Sequence, residues 1–256
     1  MAWNPEKYNQ FKDIRYAPFF DLTAMISAEG LKNCVDLGCG TGEQTAVLCE
    51  KFGNAYFLGI DFSKEMLSGS ERYARDGLRF ENASIEAFLR DDSTWDLIFS
   101  NAALQWTDDH EELFPALISK LNSQGQLAVQ MPVQGDNLLN KLLLELARER
   151  PYADYLKGYV RRSPVLSMDA YARMMFEGGL TNLQIVQKVY PIVADNAAML
   201  FDFISGSALI PYMERMSAGQ REVFAIEFKN RIELAFLRFP ALYAFKRLLL
   251  YGRKDK

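Results

Sequence analysis

A chain of 256 residues with 49% hydrophobic and 24% charged side chains can bury a full core as one elaborated α/β domain, the simpler arrangement, or as two small domains, and its net charge of −4 argues against a general nucleic-acid binder. No stretch approaches the roughly 20 apolar residues that a membrane helix needs, and the opening residues have neither a basic nor an apolar leader region, so a cytoplasmic protein is expected. The single histidine, His110, excludes Ser-His-Asp and paired-histidine chemistry, and Cys34, Cys39 and Cys49 match neither a CxxC pair nor a zinc spacing, so no metal is expected.

In chain order, residues 1–30 form an N-terminal helical segment, and short apolar runs then predict strands at 32–37, 55–60, 78–82, 95–100 and 125–131. Between them, apolar residues at helical spacing predict helices at 41–52, 63–75 and 110–121. Ser63, with Met66 and Leu67 on one face behind it, reads as an N-cap. His110, opening the third helix, is expected to be exposed or packed at the helix start, with no catalytic role. After Pro132, helices are predicted at 137–150 and 168–176, the second stopped by Gly178 and Gly179. A strand follows at 182–192, then helical sequence over 195–238 broken at Pro211 and around 217–219, and a last strand at 245–252. The alternation points to a Rossmann-like α/β fold, a seven-stranded mostly parallel sheet with helices on both faces. The chain reads as a single domain, 1–256: the helical segment 1–30, a core at 31–132, a helical cap at 133–243 and a closing strand at 244–256.

The first strand ends in Asp36-Leu-Gly38-Cys-Gly40-Thr-Gly42 and runs straight into a helix, the arrangement in which a backbone turns sharply and comes close to a ligand. GxGxG is not the GxGxxG dinucleotide fingerprint, and no GK[ST] follows, so neither a nicotinamide dinucleotide nor a nucleoside triphosphate fits best. Asp61 stands about twenty-five residues on, at the end of the second strand, where a carboxylate can accept both hydroxyls of a ribose. Two strand-end carboxylates around a glycine turn suit a nucleoside carrying a cationic amino-acid tail. Ligands of open α/β sheets sit beyond the carboxyl ends of the strands, which adds the segment Asn82-Ala-Ser84-Ile85 after the third strand and Ser100-Asn101-Ala-Ala103 after the fourth. Ser84 reads equally as a helix N-cap.

These residues resemble those of the class I S-adenosylmethionine-dependent methyltransferases. The resemblance implies that Gly38, Gly40 and Gly42 line the methionine tail of that cofactor, that Asp61 holds its ribose and that Phe62 stacks on its adenine. Many members of the family have an acidic residue where this chain has Ser84. Within the class, the opening Trp3-Asn-Pro5 with Tyr8, Phe11 and Arg15, the segment Ile98 to Trp106, and Leu127 to Pro132 resemble the small-molecule carboxyl O-methyltransferases of the trans-aconitate type. Segments 207–211 and 244–248 are similar more loosely, and Ile210 stands where that family typically has an arginine. By this resemblance Tyr8 and Phe11 belong to a lid over the cofactor, and Gln105 and Trp106 border the methyl-transfer pocket.

Methyl transfer from a sulfonium needs in-line alignment and exclusion of water, and a carboxylate nucleophile with a solution pKa near ~4 needs no general base. An acidic substrate calls instead for cations and hydrogen-bond donors. Arg161, Arg162, Arg215, Lys246 and Arg247 are the candidate cations, with Arg247 foremost, and Tyr152, Tyr155 and Tyr212 the candidate donors. The expected function is therefore O-methylation of a small di- or tricarboxylic acid by a monomer or homodimer. A methyltransferase acting on a carrier-bound malonyl thioester or on a carbon or nitrogen centre, and a non-catalytic cofactor-binding regulator, are the alternatives.

Overall fold

The computed structural model describes residues 12–255. Helix α1 (Lys12–Met25) leads into β1 (Asn33–Leu37), α2 (Glu43–Lys51), β2 (Tyr56–Asp61), α3 (Lys64–Leu67), β3 (Leu78–Asn82), α4 (Ile85–Arg90), β4 (Trp95–Asn101), α5 (His110–Ser119) and β5 (Leu121–Pro132). There follow α6 (Leu138–Arg148), α7 (Tyr152–Tyr155), α8 (Met168–Glu177), β6 (Leu180–Ala194), α9 (Ala197–Ser205), α10 (Ile210–Met213), α11 (Ala218–Phe236) and β7 (Ala241–Lys254). Short 3-10 turns lie at Ser70–Tyr73 and Leu104–Trp106. The described residues divide into two compact units: Pro18–Pro132 with Pro164–Lys188 and 247–255, and Val133–Ser163 with Val189–Lys246 and 12–17.

The seven strands form one sheet in the order β3-β2-β1-β4-β5-β7-β6. Strands β1 to β5 pair in parallel, and β7 runs antiparallel to β5. From β1 the chain first steps outward to β2 and β3, then returns to the other side of β1 for β4 and β5. Right-handed crossovers in opposite directions put helices on opposite faces and open a crevice between β1 and β4, beyond the strands' carboxyl ends. Parallel strands covered on both faces are apolar throughout, as in Cys34, Val35 and Leu37 of β1 and Leu97 to Phe99 of β4, all fully buried. Helix α1 closes one side, with Phe19 buried edge-on against Phe99.

The second unit has its own core. Leu139, Leu143, Leu146 and Ala147 of α6 lie at helical spacing on one buried face, packed with Leu200 and Phe203 of α9 and Phe224, Phe228 and Ile232 of α11. Each long helix starts on a local signal: Asn196 caps α9 at Met199 N, and Ser217 with Gln220 forms a capping box on α11. Pro211 occupies the first turn of α10, where its missing N–H costs nothing.

Some expected elements come out differently. The helix expected at 63–75 stops after Leu67, because the Ser68 and Ser70 hydroxyls donate to the carbonyls of Glu65 and Leu67, leaving a 3-10 turn beyond Gly69. Ser63 does cap that helix, accepting from Met66 N at 3.2 Å. Strand β5 begins at Leu121, four residues early, through an irregularity in which Trp95 pairs with Leu121 but Leu97 with Gln126, with Gln124 at φ 63°. Helix α4 starts behind Ser84 in the N-cap role that the sequence offered, whereas α7, a single turn, was not expected.

Candidate cofactor and substrate site

The loop between β1 and α2 is built against the end of β2. Gly38 N and Cys39 N both donate to the Ile60 carbonyl, at 2.8 and 2.9 Å, and Gly40 N donates to Asp61 Oδ2 at 2.9 Å. Gly38 adopts φ 76°, and a Cβ there would stand 2.2 Å from the Ala103 Cβ, so the loop can lie this close to the segment after β4 only without a side chain. Gly42 opens α2 at φ 77° with the Phe80 ring 2.6 Å from where its Cβ would be. Asp36 sits beneath, buried, accepting from Thr45 Oγ1 at 2.6 Å. Burial pushes its carboxyl up to about 7, against the opposing pull of the Thr45 hydroxyl and with a further push from the Asp61 charge. It braces the loop from inside.

Asp61 is half-buried at the carboxyl end of β2, its Oδ1 accepting from Ser63 N at 2.9 Å and its Oδ2 from Gly40 N. An ionised carboxylate has about four acceptor sites, so two backbone donors leave capacity for a pair of hydroxyls. Asn82 Nδ2 donates to the carbonyls of both Asp61 and Phe62 at 2.9 Å, holding that turn from β3. Phe62 projects outward, 77% exposed, with its ring face open to a ligand. Ser84 caps α4 by accepting from Ala87 N at 3.2 Å, and Ile85 is the first residue of that helix. The loop from Asp36 to Gln44 has no lysine or arginine. This donor set fits a ribose and a positively charged tail, which is what S-adenosylmethionine presents, and does not fit a diphosphate.

Asn101 ends β4 across the crevice and donates through Nδ2 to Gln44 Oε1 of α2 at 2.8 Å. Its Oδ1 accepts from Gln130 of β5, 2.8 Å away, and the Gln130 oxygen accepts from Arg247 Nη1 of β7 at 3.1 Å and from Met131 N at 3.2 Å. Gln130 is fully buried and Arg247 6% exposed, the only lysine or arginine buried to this degree among the described residues. Because β7 is antiparallel to β5, with Arg247 opposite Pro132, this guanidinium lies at the same carboxyl edge as Asn101. Gln105 is buried with Nε2 donating to Ala102 O, and Trp106 is 38% exposed. His110 is packed at the helix start, Nε2 facing Leu104 O at 2.9 Å and Nδ1 facing the Tyr171 hydroxyl, so it ties the Leu104–Trp106 turn to α8. Desolvation lowers its pKa.

The remaining candidates lie in the other unit. Tyr212 is buried and its hydroxyl accepts from Arg161 N at 3.3 Å; Arg215 is exposed, its guanidinium 3.7 Å from the centre of the Tyr159 ring; Arg162 is exposed. Lys246 is engaged with Asp136, 2.7 Å from Oδ2. Tyr152 and Tyr155 pack edge to face beside Phe224. Tyr8 and Phe11 fall outside the described residues. Thr45, Gln44 and Gln130 were not foreseen as site residues. Gln130 carried a signal, a polar residue between the apolar Val129 and Met131 near the carboxyl end of its strand.

Residues 29–191 match the family model of a methyltransferase domain. The chain is 38% identical to the trans-aconitate 2-methyltransferase of Deinococcus radiodurans over 100% of both chains. It is 33% identical to the trans-aconitate 2-methyltransferase of Escherichia coli strain SE11 over 99% of both. Among solved structures, the YcgJ protein of Bacillus subtilis shares the fold with a TM-score of 0.61 at 17% identity, covering 94% of this chain and 99% of that one.

Proposed function

The chain belongs to the methyltransferase-domain family, an S-adenosylmethionine-dependent enzyme, and from that premise we propose that it esterifies a carboxylate of a small di- or tricarboxylic acid of the trans-aconitate class. The observation that carries the substrate class is Arg247, a guanidinium buried at the carboxyl edge of the sheet and tied through neutral amides to the cofactor loop. A guanidinium offers paired N–H donors that match a carboxylate in bidentate geometry, which a neutral acceptor does not.

S-adenosylmethionine supplies a methyl group on a positively charged sulfur, which a nucleophile displaces in line. The chain's part is placement: Asp61 receives the ribose hydroxyls, the glycine loop seats the amino-acid tail, and Arg247 fixes one carboxylate of the acid so that another can reach the methyl carbon. A carboxylate is ionised at neutral pH, so no residue has to remove a proton, and the products are a methyl ester and S-adenosylhomocysteine. The half-exposed Trp106 and the His110-anchored turn that carries it help to keep water from the reacting centre. No helix among the described residues is long and apolar enough to cross a membrane. The three cysteines are buried and free, which suits a reducing compartment, and we place the protein in the cytoplasm as a monomer or homodimer.

The test is methyl transfer from labelled S-adenosylmethionine across a panel of di- and tricarboxylic acids, with malonyl-carrier protein and small amines alongside. Turnover of trans-aconitate or a near analogue, lost in Arg247→Met, supports the reading. Turnover confined to the carrier or the amines, or none at all with cofactor bound, refutes it.

A further inference from the structure

Helix α11 is apolar on two opposite sides. Phe224, Phe228 and Ile232, four residues apart, are fully buried in the core of their unit. Turned about half a circle from them, Val223, Ile226 and Leu234 stand exposed, with Asn230 between them and Leu237 just past the last turn. Leu234 is 75% and Leu237 91% exposed. A helix that faces water on one side carries polar residues there, so an apolar stripe opposite the buried one marks a second side to be covered. Along the stripe the steps are three, four, four and three residues, a mean of 3.5, which is the period of two helices packed along their length.

The stripe reads the same in both directions. Counted from Asn230, Lys229 and Arg231 lie one residue away on either side, Glu227 and Glu233 three, Ile226 and Leu234 four, and Val223 and Leu237 seven. A second α11 laid antiparallel about a twofold axis at Asn230 sets Ile226 against Leu234, Val223 against Leu237 and Asn230 against its own copy, the self-complementary match that an isologous dimer requires. A carboxamide has both donor and acceptor, so two copies satisfy each other, and a slip in register would bury Asn230 against leucine. Charge agrees with this placement. Lys229 and Glu233 share one flank of the stripe and Glu227 and Arg231 the other, and reversal brings each base within about 3 Å, along the helix axis, of the other copy's acid on that flank. Glu227 and Arg231 already pair within the chain at 2.9 Å, and Arg231 also holds Glu149. Glu233 is exposed with no ion-pair partner among the described residues, and Lys229 is exposed over the Phe201 ring, 4.6 Å from its centre, so this flank is open to a second copy.

We propose that the protein is a homodimer in which the outer faces of two α11 helices pack antiparallel about a twofold axis beside Asn230. A second copy is the occupant because an unrelated partner sets no requirement that apolar and charged positions mirror each other about one residue. The choice of methyl acceptor does not bear on it. Sedimentation velocity of the full chain over a range of concentrations tests the proposal, with S-adenosylhomocysteine affinity reporting that each variant is folded. Wild type is expected to sediment as a dimer, and Ile226→Glu and Leu234→Glu, at exposed positions, as monomers with unchanged S-adenosylhomocysteine affinity. Lys229→Glu places acids at both positions of its flank and Glu233→Lys bases at both. Each alone is expected to weaken self-association at least about tenfold, and an equimolar mixture of the two to form a heterodimer. On oxidation Asn230→Cys is expected to link the two chains, whereas Glu222→Cys, whose copies would lie about 24 Å apart along the axis, is not; the three native cysteines are buried. A wild type that stays monomeric at every concentration overturns the proposal. So does a dimer that persists in both apolar variants, which puts the contact on another surface. Failure of the mixture to associate, or cross-linking at Glu222→Cys as readily as at Asn230→Cys, overturns the antiparallel arrangement and the proposal with it.

Discussion

Replacing Asp61 with alanine separates two roles that the carboxylate combines. In the structure it accepts the N–H groups of Gly40 and Ser63, both at 2.9 Å, and so latches the glycine loop to the start of α3. Hydrogen bonds to a charged group contribute about 1.5–3 kcal/mol when well made, but Asp61 is half-buried and water can replace it at both donors, so the stability loss should fall near ~1–2 kcal/mol in total. On the proposed reading the ribose hydroxyls would be bound by the same oxygens, in a cleft that the ligand itself would close to water. Removing their acceptor should weaken S-adenosylhomocysteine by about 1.5–3 kcal/mol, roughly 10- to 150-fold in Kd. Titration calorimetry with S-adenosylhomocysteine, paired with thermal melts of ligand-free protein, reads the two effects independently. A lowered Tm with Kd within twofold of wild type would make Asp61 a loop latch only and refute its assignment to the ribose.

Gly38→Ala should weaken cofactor binding and lower Tm, since the new methyl would stand 2.2 Å from the Ala103 Cβ; Ala103→Gly in the same chain should recover part of the loss, the residue left being ~1 kcal/mol of left-handed backbone strain. No recovery in melts of the double variant would place the clash elsewhere. Asp36 has a folded-state pKa raised by burial to about 7, so the stability it contributes is greatest below the unfolded value near ~4 and is lost as pH rises through about 7. Asp36→Asn should therefore gain in Tm relative to wild type between pH 5.5 and pH 8.5, and a constant difference would show that the carboxyl titrates normally. For His110 the sign is opposite: its folded-state pKa is depressed by burial, so its stabilisation is present above the unfolded value near ~6.5 and is lost as pH falls toward the folded one. Wild type should lose Tm from pH 7 to pH 5 relative to His110→Gln, which can keep both hydrogen bonds, and parallel curves would refute this.

The glycine loop and Asp61 were legible because they depend on local geometry. A strand, a turn that no Cβ can occupy and a carboxylate at the next strand's end are fixed by residues close in the chain. The break after Leu67 was not, because whether Ser68 and Ser70 stay in the helix or bond back to carbonyls depends on what the turn packs against. Helix α7 escaped for a related reason: four residues carry too little periodicity to stand out from a loop. Arg247 stood foremost among the candidate cations from the sequence, having apolar neighbours in the last strand, but its burial, against the exposure of Arg162 and Arg215, comes from the pairing of β7 with β5.

By itself, the sequence determined the order of the elements, the Rossmann-like class and the glycine turn closing against the end of β2, since each follows from hydrophobic periodicity or from turn chemistry within about thirty residues. Only the tertiary structure decided which polar groups meet. Gln44, Asn101, Gln130 and Arg247 come from four different elements spread over two hundred residues. They meet because strand order and register, set by which apolar faces are buried together, place β4, β5 and β7 side by side. Hydrogen-bond partners at that separation are a product of packing, which pairwise spacing along the chain does not contain.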